Sequence, residues 1–275
     1  MSDMNAVKKE EMGIPDSYVL DGGALLHRVR WFKGMTFNAV AAAYSNYIRK
    51  HYAGKITVVF DGYEDEGTKS HEHLRRNSIP QSCMVDIHKD NPVPFTQDRF
   101  LSNTENKANF VKFLSNHLKQ TGFDTVDCPG DADSTIVKTG LEIARMSLKH
   151  VTVVADDTDI AVLLVHHWED EMADIFFLQE RWNKSWSIKN ASLTNKSIKN
   201  HLLFIHSWSG CDTVSSVYGK GKSRLPKLME EEKWQLLSEV ISSPWSSQAE
   251  VGSASIQAFV LLYGGKEGDT LRKLR

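Results

Sequence analysis

The chain of 275 residues carries 33 Lys and Arg against 35 Asp and Glu, a formal net charge of −2, with 41% hydrophobic and 25% charged residues. That is the make-up of an ordinary folded protein of one large domain, or of one domain with an appendage. A charge so near balance neither requires nor excludes a nucleic-acid partner, because an acidic cluster can cancel a local basic stripe. Cys83, Cys128 and Cys211 have no paired spacing, which suits a reducing compartment and argues against a structural zinc. The longest apolar run is far short of a membrane span, and the stretch from Met1 to Gly13 has no signal-peptide core.

Residues 1–16 read as a polar leader. Ser17-Tyr18-Val19-Leu20 is a short strand that ends on Asp21, and Gly22-Gly23 lets the backbone turn sharply and come close to a ligand. Thr36 to His51 reads as a helix with Phe37, Val40, Tyr44 and Ile48 on one face. Ile56 to Phe60 is a second buried-strand run, and it too ends on an acid, Asp61, before Gly62. A lone Asp-Gly is most simply a turn, but the repetition at two strand ends asks for more than turn chemistry.

The stretch from Lys69 to Arg76 reads as helical, with Lys69, His73 and Arg76 roughly on one face; a solvated helix face is the plain alternative. The rest of the section up to Arg99, with Pro80, Pro92 and Pro94, reads as a long mobile excursion, of the kind that forms lids or stays disordered. Asn106 to Gln120 is an amphipathic helix with Phe110, Leu114 and Leu118 on its stripe and Gly122 as a stop. Phe123 to Cys128 is a short strand, and Pro129-Gly130-Asp131-Ala132-Asp133-Ser134 leads into a helix expected to bury Val137, Leu141, Ala144 and Leu148. Asp131 and Asp133 suit a cap and a helix-dipole partner, yet they make a third strand end that carries acid.

The central stretch runs from His150 to Val165. Val151 to Ala155 is β-branched without polar alternation, as in a parallel strand covered on both faces. Asp156, Asp157 and Asp159 follow at once. One Asp would serve as a cap; three so close repel one another and raise each other's pKa unless a cation neutralises them. Further on come a strand at Asp174 to Leu178, a polar segment with Trp182 and Trp186, an apolar run at Leu202 to Ile205, and Asp212 in a loop or helix start. Gly219-Lys220-Gly221-Lys222 exposes backbone amides able to hold a phosphate, although such a run alone is usually a turn. Helical segments around Trp234 to Ile241 and Ile256 to Tyr263 close the chain, which shows no internal repeat.

Alternating strands and helices imply a parallel α/β sheet, with Asp21, Asp61, Asp131, Asp133, Asp157, Asp159 and Asp212 on one edge. An all-oxygen set of that kind suits Mg²⁺ or Mn²⁺ rather than zinc. Two such ions about 4 Å apart can activate a water and stabilise the leaving oxygen of a phosphodiester. The residues alone therefore point to a metal-dependent hydrolase of phosphate esters.

The order and spacing of these motifs resemble the flap endonuclease family of structure-specific 5′ nucleases, which has a PIN-like fold. Asp21 resembles the family's first acid, and Val59-Phe60-Asp61-Gly62 its "VFDG" strand end. Lys69 and Arg76 resemble the basic pair at the base of its helical arch, which steers and stabilises the scissile phosphate. Pro129 to Asp133 resembles "PSEAE" with aspartates for glutamates, and Asp156 to Asp159 resembles "EDMD", leaving Asp156 outside the ligand set. Gly210-Cys211-Asp212 through Gly221 resembles "GSDY…GIG", the entry to a helix–two-turn–helix that grips duplex backbone. The resemblance covers roughly Tyr18 to Leu228. Departures are the leader, the shorter acids at 131 and 133, an arch region that is not clearly two helices, and the absence of a sliding-clamp peptide.

The resemblance implies a PIN-like parallel sheet flanked by helices: a leader at 1–16, a nuclease core at 17–206 with an arch-like insertion at about 63–105, and a helix–two-turn–helix with C-terminal helices at 207–275. It implies a structure-specific nuclease using two Mg²⁺ or Mn²⁺ ions on the seven acids, with Lys69 and Arg76 catalytic. Arg75, Gly219, Lys220, Gly221 and Lys222 are its expected nucleic-acid contacts. The expected partner is nucleic acid, DNA ahead of RNA, with no membrane, and the protein is expected to be a monomer inside the cell, in the nucleus ahead of the cytoplasm. One alternative is a catalytically silent nucleic-acid-binding or scaffold protein of the same fold. Another is a phosphatase of the haloacid dehalogenase type, prompted by Asp157 and Asp159, which leaves Asp21, Asp61 and Asp131 unexplained.

Overall fold

The computed structural model describes residues 12–62, 83–128, 130–194, 196–211, 214, 228–266 and 268–273. Six strands, β1 (Ser17–Asp21), β2 (Lys55–Phe60), β3 (Asp124–Asp127), β4 (His150–Val154), β5 (Asp174–Gln179) and β6 (Lys184–Ser187), form one sheet in the order β3-β2-β1-β4-β5-β6. β1 to β5 run parallel and β6 returns antiparallel along β5. The central strands carry no polar alternation because they are covered on both faces: Tyr18 to Leu20, Ile56 to Phe60 and Val151 to Val154 are all buried. Asp21 lies opposite Val59, and Leu20 opposite Val154, so the carboxyl ends of β1, β2 and β4 finish nearly level.

The strand order makes that shared edge special. From β1 the chain works outward through β2 to β3, then crosses back to β4 on the other side of β1 and continues outward. Ligands of open α/β sheets bind in the crevice where the order reverses. Asp21, Asp61 and Asp156 stand at that point.

The helices of the described residues are α1 (Gly22–Arg28), α2 (Phe37–His51), α3 (Gln97–Leu101), α4 (Thr104–Gln120), α5 (Ala132–Met146), α6 (Thr158–His167), α7 (Ile188–Thr194), α8 (Lys196–Lys199), α9 (Leu202–Trp208), α10 (Glu232–Ser242) and α11 (Gln248–Leu262). The chain divides into two compact units, residues 1–160 with 169–189, and residues 161–168 with 190–275. In the first, Val40, Tyr44 and Ile48 of α2 and Phe110, Leu114 and Leu118 of α4 share a core with Leu20, Val58 and Phe60 of the sheet. The second has its own core, in which Phe204 and Ile205 of α9 join Trp234, Leu237, Ala254 and Ala258 of α10 and α11. No helix among the described residues is long and apolar enough to cross a membrane.

The sheet and its helices are the expected α/β architecture, with four local departures. Leu148 is not on the buried face of α5: the helix ends at Met146, Asp16 Oδ2 takes the backbone N–H groups of Leu148 and Lys149 at 3.1 and 2.9 Å, and Leu148 is 99% exposed. The polar segment around Trp186 contains β6, an edge strand whose backbone pairing with β5 needs no apolar run. Residues 83–99, expected as part of a mobile excursion, are fastened to the first unit. Phe37 and Asn38 N–H donate to the carbonyls of Asn91 and Lys89, Val93 N–H donates to Met35 C=O, and Phe100 and Leu101 are buried. Finally, α11 begins well before Ile256, at a capping box in which Ser247 and Glu250 satisfy each other's backbone N–H groups.

Candidate functional site

Asp21 ends β1 and caps α1. Its Oδ1 accepts from the N–H groups of Gly23 at 2.8 Å and Ala24 at 3.2 Å. The turn between strand and helix is tight because Gly22 has no side chain: a Cβ there would stand 2.3 Å from Phe60 Cδ1 and 2.7 Å from the Val59 carbonyl oxygen. Burial pushes the Asp21 carboxyl up to about 6, and the charges of Asp61 and Asp156 push the same way against the two backbone hydrogen bonds. A capping carboxylate with only its helix to serve would be held low instead.

Asp61 follows β2 and is fixed from across the edge. Its Oδ1 accepts from Ala132 N–H, at the head of α5, at 2.9 Å. Gly62 N–H donates to Gly130 C=O at 2.9 Å and Cys128 N–H to Phe60 C=O at 3.1 Å, so the end of β2 and the entry to α5 are laced together. A Cβ on Gly23 would lie 3.2 Å from Asp21 Oδ1 and 3.5 Å from Asp61 Oδ2. The two carboxylates therefore open onto one space in front of Gly23. Asp131 occupies the N-cap position of α5 without a side-chain cap bond, and Asp133 lies in the first turn. The Asp131 and Asp61 charges both add to the burial that pushes the Cys128 thiol up, which marks that thiol as their neighbour.

Asp157 and Asp159 sit where β4 gives way to α6. Asp157 Oδ1 accepts from Asp159 N–H at 2.8 Å, so the capping role is real for this acid. Asp156 is held differently: Arg28 Nη2 donates to its Oδ1 and Oδ2 at 2.5 and 2.6 Å, and its backbone carbonyl accepts from Gln179 Nε2 at 2.7 Å. Beside this pair Glu180 Oε2 accepts from Tyr47 O–H at 3.2 Å. Burial and the Glu180 charge push Tyr47 up to about 12 and raise Tyr52 as well.

Six of the expected ligand acids, Asp21, Asp61, Asp131, Asp133, Asp157 and Asp159, thus fall on one edge, with Asp21 and Asp61 facing each other. Asp212, Lys69, Arg75, Arg76, Gly219, Lys220, Gly221 and Lys222 lie outside the described residues. Arg28, Gln179 and Glu180 had no part in the sequence reading. The available signal was spacing: Arg28 stands seven residues after Asp21, two helical turns on, and Glu180 directly follows a strand.

Among the described residues, no three His, Cys, Asp or Glu side chains are already drawn together as a cage for a metal ion. The donor set itself fits a hard divalent cation. It is built of carboxylates; burial first, and then the charges of Asp61 and Asp156, hold Asp21 toward its neutral form, and a cation would offset both effects.

No protein-family model and no curated protein sequence matches this chain. Solved structures do. The D15 protein of phage T5, co-crystallised with metal ions, aligns at 14% identity over 90% of this chain and 86% of its own, with a TM-score of 0.53. The catalytic core of Rad2 in complex with DNA substrate aligns at 12% identity over 93% of this chain and 74% of its own, with a TM-score of 0.51. The eukaryotic junction-resolving enzyme GEN-1 aligns at 12% identity over 99% of this chain and 58% of its own, with a TM-score of 0.53. The chain has the fold of these flap-endonuclease-type proteins, a PIN-like α/β sheet. At such identities the likeness is one of fold.

Proposed function

We propose that the protein is a divalent-cation-dependent nuclease that hydrolyses phosphodiester bonds, in DNA ahead of RNA, with a preference for flaps, junctions or single strands. The observation that carries this reading is the pair Asp21 and Asp61, two carboxylates opening onto one space at the switch point of a parallel sheet. The fold shared with D15, which was crystallised with metal ions, with Rad2, which was solved with a DNA substrate, and with the junction-resolving enzyme GEN-1 supports it.

In this reading Asp21, Asp61, Asp131, Asp133, Asp157, Asp159 and Asp212 hold two ions, Mg²⁺ or Mn²⁺. Bound there, the ions supply Lewis acidity toward the phosphodiester and lower the pKa of an attacking water. The protein's own groups do the rest. Gly22 lets the turn after Asp21 pack tightly on β2, Gly23 keeps the space between the Asp21 and Asp61 carboxylates clear, and Ala132 N–H orients Asp61. Lys69 and Arg76 stabilise the charge that develops on the phosphate, while Arg75 and the Gly219 to Lys222 run hold backbone phosphates away from the reacting bond. The protein acts as a monomer inside the cell, in the nucleus ahead of the cytoplasm.

The test incubates the protein with labelled 5′-flap, bubble, duplex and single-stranded DNA and RNA in Mg²⁺, Mn²⁺ or EDTA. Cleavage that needs the cation and falls at least ~1,000-fold in Asp157→Asn, with folding intact, is the expected result. Salt-dependent binding with no product under any cation would replace this reading with the silent nucleic-acid-binding one.

A further inference from the structure

Asp21 and Arg28 stand at the two ends of one short helix and on the same side of it. Arg28 Nη2 reaches both oxygens of Asp156, at 2.5 and 2.6 Å, with its side chain 21% exposed. Buried Gln179, at the end of β5, donates its Nε2 N–H to the Asp156 backbone carbonyl at 2.7 Å. Asp156 is therefore gripped at both its side chain and its backbone. The next residue is Asp157, whose Oδ1 fixes the N–H of Asp159. Arg28 also lines a small cavity with Asp21, Tyr52 and Glu180.

We propose that Arg28 is a positioning residue, which withdraws Asp156 from the cation-binding acids and fixes the turn that presents Asp157 and Asp159. This rests on the nuclease reading. The physical reason is charge count: cation affinity at an all-oxygen site rises with the number of carboxylates that can reach it. Without Arg28, Asp156 would become one more acid beside Asp157, and it would attract cations to the wrong place. With Arg28 in position, Asp156 and Arg28 form a neutral pair, and the spacing of the cations is left to the remaining acids. An Arg is suited to this because its Nη2 brings two N–H donors to the two carboxylate oxygens and the guanidinium stays charged at every ordinary pH.

The test measures Mn²⁺ binding to the full chain by calorimetry or electron paramagnetic resonance, alongside cleavage and thermal melting. Arg28→Gln should bind Mn²⁺ about tenfold more tightly than wild type, yet cut at least about tenfold more slowly at saturating Mn²⁺. Asp156→Asn should shift Mn²⁺ affinity the opposite way, because it leaves the Arg28 charge unpaired. The double variant Arg28→Gln/Asp156→Asn removes a neutral pair and should return Mn²⁺ affinity to within about threefold of wild type. Unchanged or weaker Mn²⁺ binding by a folded Arg28→Gln would reduce Arg28 to a structural clamp and overturn the proposal. If that variant does not fold, the double variant decides: a loss of Mn²⁺ affinity of about tenfold or more would make Asp156 a ligand and overturn it equally. No Mn²⁺ binding by the wild type would defeat the nuclease reading itself, and the proposal with it.

Discussion

Asp21 does two jobs that conflict. As a cap it satisfies two N–H groups of α1, which any Asn or Asp could do. As a site carboxylate it is half-buried near Asp61 and Asp156, and its carboxyl is pushed up to about 6. The folded state then holds this proton more tightly than the unfolded chain. The stabilising contribution is full below about pH 4, where both states are protonated, and is lost as pH rises to about 6. Above that, an ionised Asp21 lowers metal-free stability by up to about 3 kcal/mol. Asp21→Asn keeps the cap acceptor and removes the buried charge. In EDTA at pH 7 it should be more stable than wild type by about 1–2 kcal/mol, and its stability should be flatter between pH 4 and 6. Urea unfolding across that range checks both; an Asn variant no more stable than wild type at pH 7 would mean that neighbouring groups already compensate the charge. Gly22 gives the complementary case, in which packing rather than charge decides. Gly22→Ala brings a methyl against the Phe60 ring and the Val59 carbonyl, and the carbonyl cannot move without breaking sheet register. It should cost about 2–3 kcal/mol in thermal or urea unfolding.

The elements that frame the site were legible in proportion to how much of their burial followed a period. α2 and α4 show their apolar stripes plainly, and each starts at a residue whose side chain caps it, Thr36 and Asn103. What the stripe does not reveal is Asn106, a fully buried amide on α4. Its Oδ1 accepts from Val85 N–H at 2.8 Å and its Nδ2 donates to Cys83 C=O at 3.1 Å, which ties residues 83–85 onto the helix. Asn106→Leu would leave both backbone groups without these partners and should destabilise by about 2–3 kcal/mol. Limited proteolysis should then cut first between 83 and 95; cutting elsewhere would mean that Asn106 does not hold this segment. β6 and the start of α11 escaped notice for a related reason. Lys184 to Ser187 is a short strand with a single aromatic, Trp186, among polar residues and held by edge pairing, and the first turns of α11 owe their place to a capping box rather than to apolar spacing. Arg28 and Glu180 were illegible because a single charge on a helix or after a strand looks like a solvated face until its partner is known. Arg28 and Asp156 are separated by 128 positions.

The acids, by contrast, could be read from the whole chain because they recur at one place in a repeating unit. Each parallel strand that covers both faces must be apolar, so the first polar residues after it mark its carboxyl end. Only the strand order brings those ends together, placing β1 between β2 and β4 and so setting Asp21 beside both Asp61 and Asp156. That arrangement concentrates negative charge at the crevice of the sheet, and its consequence is a linkage between cation binding and stability. A cation that binds the folded state and not the unfolded chain stabilises by about 2.7 kcal/mol at a concentration a hundred times its dissociation constant. Calorimetric melting in Mg²⁺ or Mn²⁺ should therefore move the transition upward by several degrees relative to EDTA, with Na⁺ at the same ionic strength giving no comparable shift. The size of the shift should depend on pH in a direction fixed by Asp21. At pH 5 its carboxyl is largely protonated and must lose a proton before it can ligate, whereas at pH 7 it is ionised and repelled by Asp61 and Asp156. The cation-induced stabilisation should accordingly be larger at pH 7 than at pH 5, and Asp21→Asn should remove most of the difference. A shift of equal size at both pH values would put the stabilising cation away from Asp21, and with it away from the crevice between β1 and β4.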